Sequence, residues 1–107
     1  MNNIKSCATV QKWIANVNRY YNLSEEEWGG RLQMLADFCQ AEAKDPDAMI
    51  AEALAEKSDK VDYMRRLKKF AKEQSTNPRI AHDLENIVRS FFIHNGARVV
   101  VRPYADV

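Results

Sequence analysis

The chain has 107 residues, the length of one domain. Its 46% hydrophobic and 29% charged residues argue against disorder, and three Gly and three Pro are too few for the turns of a β-sandwich or barrel. No apolar run approaches the ~20 residues of a membrane span, Met1–Ser6 lacks the apolar stretch of a secretory leader, and the net charge of +1 says nothing by itself about a partner, so a cytoplasmic domain with no membrane contact is expected.

In chain order, Val10, Trp13, Ile14, Val17, Tyr20 and Tyr21 recur at the spacing of one helix face, and Asn22 is the expected end. Ser24-Glu25-Glu26-Glu27 opens a second helix: Ser24 is placed to cap it, Glu27 to reach back to the cap, and three carboxylates suit the positive end of the helix dipole. Trp28, Leu32, Leu35, Phe38 and Cys39 form its apolar face. Gly29-Gly30 in its first turns costs ~1 kcal/mol per Gly relative to Ala. The expected reason is a close helix crossing, and the sharper one is a ligand against bare backbone.

Asp45-Pro46-Asp47 predicts a third helix start, with Met49, Ile50, Ala53 and Leu54 as its stripe and an end near Lys57-Ser58. Asp59 is the expected cap of a fourth helix that buries Tyr63, Met64, Leu67, Phe70 and Ala71 and breaks at Ser75-Thr76. Asn77-Pro78 opens a fifth, whose face of Ile80, Ala81, Leu84, Ile87, Val88, Phe91 and Phe92 is the widest in the chain, which predicts a central position. Asn95-Gly96 is a stop signal, with Gly96 free to adopt the left-handed conformation. Val99-Val100-Val101 reads as a short extended tail bounded by Pro103. The fold class expected is therefore all-α, a bundle of four to five helices.

Cys7 and Cys39 match no metal spacing and no redox pair; reduced thiols are expected rather than a disulfide. No cofactor or metal is expected. His82 and His94 are the only candidates for a neutral-pH base, and neither sits in a nucleophile or metal motif. Glu25–Glu27 read as caps rather than a catalytic pair, so no catalytic residue is assigned.

The charge is unevenly distributed: residues 1–56 hold 5 basic and 9 acidic side chains, residues 57–107 hold 11 and 6. Within the basic half, Arg65, Lys68, Lys69 and Lys72 fall at i, i+3, i+4 and i+7 on the side of the fourth helix opposite its apolar face, with Arg66 flanking them and no acid among them. Like charges at these spacings repel, and an acidic partner, most often a nucleic-acid backbone, would turn that cost into attraction; a merely solvated face is the alternative. Thr76-Asn77-Pro78-Arg79 adds an anion-favouring helix start. His82 and Asn86 continue the exposed side from Arg79, within reach of base edges should that helix end meet a groove. Arg89 is equally well explained by a structural ion pair.

The order of these elements resembles the N-terminal core-binding domain of the tyrosine recombinases, the phage-integrase family. Val10-Gln11-Lys12-Trp13-Ile14 looks like the lead helix. Ser24 through Trp28, Leu32, Leu35 and Phe38 is similar to the family's Ser-x-x-Thr-x-x-x-Tyr…Leu…Phe helix, and Asp45-Pro46-Asp47-Ala48-Met49-Ile50 to an acidic-Pro turn of archaeal-type members. Ile87 through Gly96, with its Arg-x-Phe-Phe run, looks like the closing helix. The resemblance implies a SAM-like orthogonal bundle over residues 1–96 that grips one face of duplex DNA at a recombination site, with 97–107 as the start of an interdomain connector. It also implies a partner C-terminal catalytic domain carrying the Arg, His-x-x-Arg and Tyr set, and oligomers on DNA. The DNA-binding residues expected are Arg65, Lys68, Lys69, Lys72, Arg79 and His82, with micromolar, salt-sensitive affinity and weak sequence preference. The rival reading is a helical protein–protein interaction module using Trp13, Tyr20, Tyr21 and Trp28.

Overall fold

Three short polar side chains start three of the helices. Ser24 Oγ accepts the Glu27 amide at 3.1 Å while Glu27 Oε1 accepts the Ser24 amide at 3.2 Å, a complete capping box. Asp45 Oδ1 accepts the Ala48 amide at 2.7 Å. Asn77 Oδ1 accepts the amides of Arg79 and Ile80 at 2.9 and 3.4 Å, with Pro78 in the first turn, where a missing N–H costs nothing.

The computed structural model describes residues 4–55 and 57–97, at 57–59 the backbone alone. A 3-10 turn at Ile4–Ser6 precedes α1 (Ala8–Asn18), α2 (Glu25–Glu42), α3 (Pro46–Ala55), α4 (Lys57–Gln74) and α5 (Pro78–His94). No strand occurs among the described residues, and the molecule is an all-α bundle. The expected extended tail, Val99-Val100-Val101 included, lies outside the described residues.

As its wide apolar face requires, α5 is the central element, packed on α1, α2 and α4, while α3 bridges α1 and α4. A line of rings runs through the core. Trp13 meets Trp28 edge-on at 5.2 Å and Phe91 at 5.5 Å. Phe91 touches Phe92 at 5.6 Å, and Phe92 touches Tyr63 at 5.9 Å. Each such pair contributes about 0.5–1.5 kcal/mol beyond its buried area. Both indoles bury their rings and satisfy their N–H groups: Trp13 Nε1 donates to Ser90 Oγ and Trp28 Nε1 to Asn18 Oδ1, each at 3.1 Å.

Several expectations need correction. The first helix stops at Asn18, because the amides of Tyr20 and Tyr21 both turn back to the Val17 carbonyl. This tighter turn swings the two tyrosines out of the helix face, leaving them 73% and 67% exposed. Trp13 and Trp28, read as candidate interface residues, are core. Asp59 is inside α4 rather than its cap, since α4 already begins at Lys57; no Gly or Pro between 47 and 77 forces a later start. Leu54 and Ile80, read as buried, are about half exposed. A Cβ at Gly29 or Gly30 would meet nothing within 4 Å, so no helix crosses there.

Other expectations hold. Gly96 carries φ +90 where α5 ends. Cys7 and Cys39 are unbridged, and burial pushes the Cys39 thiol up to about 12, which keeps it protonated and unreactive at neutral pH.

Candidate nucleic-acid interface

The basic row on α4 is positioned by what lies behind it. Tyr63, Leu67, Phe70 and Ala71 are buried against the rest of the bundle, with Phe38 of α2 tilted on Phe70 at 5.4 Å. At 100° per residue, Arg65, Lys68, Lys69 and Lys72 then span about 100° of the opposite side. Arg65, Lys69 and Lys72 are exposed, and Lys68 is half-buried along its stem. Lys68, Lys69 and Lys72 form no ion pair with any described carboxylate.

The two arginines differ. Arg65 Nη1 reaches Asp62 Oδ1 at 3.3 Å, one contact between side chains 75% and 48% exposed. Arg66 Nε sits 2.9 and 3.1 Å from the two oxygens of Glu42, whose side chain is 12% exposed, and its guanidinium lies 4.7 Å over the Tyr63 ring. Arg66 is thereby bound into a network joining α2, α3 and α4. Tyr63 donates its hydroxyl to Glu52 Oε1, and Lys44 pairs with Glu52 Oε2. The Lys44 bond holds the Glu52 carboxyl below its ordinary range, and the Glu52 bond raises Lys44. Burial first, then the bond to Glu52, pushes the Tyr63 phenol up to about 12. Asp62 was detectable in the sequence, three residues before Arg65. Glu42, 24 residues before Arg66, carried no local signal.

The start of α5 departs more from expectation. Arg79 is exposed in its first turn, and the short turn 75–77 puts it at the same end of the α4–α5 hairpin as Lys72. Its amide and that of Ile80 are taken by the Asn77 cap, so they are not open for a phosphate. His82 and Asn86 are half-buried rather than on the exposed side, and bond to each other, Asn86 Nδ2 to His82 Nε2 at 3.0 Å. The pairing fits i, i+4 geometry and engages one ring nitrogen of His82 and the amide nitrogen of Asn86. Arg89 is buried beside Glu85, which settles it as structural.

No group of three or more His, Cys, Asp and Glu placed to hold a metal occurs among the described residues, and no described helix is long and apolar enough to cross a membrane. Comparisons with protein-family models, with curated proteins and with solved structures find no match.

Proposed function

We propose that this chain is a double-stranded DNA-binding module, the core-binding domain of a tyrosine recombinase of the phage-integrase family. In this reading it grips duplex DNA by phosphate contacts, and a C-terminal catalytic domain of the same protein performs the recombination chemistry. The observation that carries the DNA-binding reading is the row Lys68, Lys69 and Lys72, left without described carboxylate partners on the outer side of α4 and continued by Arg65. Four cations held on one rigid helix, backed by a packed core, suit a polyanion whose charges are regularly spaced. Arg79 extends the row at the hairpin end, while His82 contributes little because it is half-buried with its Nε2 held by Asn86.

The test is fluorescence anisotropy of a labelled duplex. With about four phosphates neutralised, log K falls against log salt with a slope of about −3.5, so raising salt from about 50 to 200 mM costs about a hundredfold. Lys68→Glu with Lys69→Glu removes two of the four contacts, which halves the slope and lowers affinity at every salt concentration. Binding left unchanged by that double substitution overturns the assignment.

The second reading, a protein-interaction module, is favoured by Tyr20 and Tyr21, which stand exposed beside the acidic start of α2. Salt-insensitive association measured by gel filtration, with no duplex binding, supports it instead.

A further inference from the structure

We propose that Asp62 is an internal competitor for phosphate, holding Arg65 in the unbound protein and surrendering it when DNA binds. This rests on the reading of the outer side of α4 as a DNA-binding face.

The contrast between the neighbouring arginines carries the inference. Arg66 is fastened by two short contacts to a largely buried carboxylate and by the Tyr63 ring beneath it. Extracting it would strand Glu42, the costly outcome for a shielded charge. Arg65 has a single longer contact, to a carboxylate that water reaches. Exposed pairs of this kind are weak, whereas an arginine on a phosphate releases a condensed counterion and can bond through two parallel N–H groups. Arg65 also lies in line with Lys68, Lys69 and Lys72, while Arg66 is a further ~100° round the helix. The α4 row therefore contains one cation restrained by a weak internal anion, and binding exchanges carboxylate for phosphate. Asp62 then faces the DNA without a partner, so it lowers the affinity that the cations alone would give. It tunes the module towards the weak, reversible hold of a domain that searches DNA before other contacts lock it.

The experiment is duplex anisotropy at about 50 mM salt, where electrostatic differences are large, with folding of each variant checked by circular dichroism. Asp62→Asn tightens binding about two- to fivefold, the span set by the strength of an exposed pair. Glu73→Gln is the control: it removes the same charge from the same helix, at an exposed residue that pairs with no described cation, and its gain is smaller. In an Arg65→Ala background, the gain from Asp62→Asn shrinks to that of Glu73→Gln. An Asp62→Asn gain no larger than the control, or undiminished without Arg65, overturns the competitor while leaving α4 as the DNA-binding face. A wild-type chain with no salt-sensitive duplex binding overturns both.

Discussion

Glu85 and Arg89, one turn apart on α5, form an ion pair closed to water: Arg89 Nη2 lies 2.7 Å from Glu85 Oε2, Arg89 Nε is also within hydrogen-bonding distance of that oxygen, and both side chains are only 8% exposed. The pair sits on the buried side of α5, the helix packed on α1, α2 and α4, so the bundle shields both charges from water.

Breaking this pair from one side leaves a charge in a place water does not reach. Glu85→Ala or Arg89→Ala costs about 3–5 kcal/mol, whereas replacing both with apolar residues of similar volume is near neutral. Urea unfolding of the two single variants and a Glu85→Leu/Arg89→Met double variant measures the difference.

The N-terminus of α1 is capped from another helix. Cys7 offers no side-chain cap, and Asp47 in the first turn of α3 instead accepts both the Thr9 amide, at 3.0 Å, and the Thr9 hydroxyl on one oxygen. Asp47→Ala costs about 0.5–2 kcal/mol, the range for a lost cap. The Thr9 hydroxyl, then the Thr9 amide, hold the Asp47 carboxyl below its ordinary 3.8. The associated stability is fully present above that pH and is lost as pH falls through the lower folded value. Acid unfolding of wild type and Asp47→Asn followed by circular dichroism shows a smaller acid-dependent loss in the variant.

Helix α2 has glycine where alanine would serve, and alanine where glycine would. Gly29 and Gly30 are exposed with open space at both Cβ positions, so Gly29→Ala and Gly30→Ala should each stabilise by about 0.5–1 kcal/mol. Ala43, at the C-terminal end, holds φ 56, where a Cβ is strained by about 1–2 kcal/mol. Ala43→Gly should therefore stabilise despite adding backbone freedom. Thermal unfolding of the three single variants reports each sign, and lower stability in Gly29→Ala or Gly30→Ala would contradict the open space at those positions.

Burial lowers the pKa of His94 below its ordinary 6.5, because the last turn of α5 packs beside α1, where Asn16 Nδ2 donates to the His94 carbonyl at 3.2 Å. The neutral ring is the folded form. Its contribution is present above pH 6.5 and lost as pH falls through the lower folded value. The melting temperature is expected to drop on acidification below that point, and His94→Gln to flatten the drop.

Much of the architecture was legible because it depends on neighbours in sequence. The caps at Ser24, Asp45 and Asn77, the stop at Gly96 and the wide face of α5 each follow from residues within a few positions of one another. Tyr20 and Tyr21 were misread for the converse reason. Their spacing continues the helical period, but the amides of both turn back to the Val17 carbonyl, and Asn18 at the end of α1 is held by the Trp28 indole. At the candidate interface, the alignment of Arg65, Lys68, Lys69 and Lys72 on α4 was readable from spacing, as was the Asp62 carboxylate three residues earlier. The capture of Arg66 was not, since Glu42 arrives from another helix.

The sequence by itself determined that this chain is a bundle of helices and which side of each is apolar, since caps, breakers and the 3.6-residue period act over one or two turns. Only the tertiary structure decided which charged groups are spent inside the molecule. Arg66 looks like Arg65 or Lys69 in the sequence, and differs because packing brings Glu42 to it; packing likewise buries the Glu85–Arg89 pair, while the outer side of α4 is left facing water.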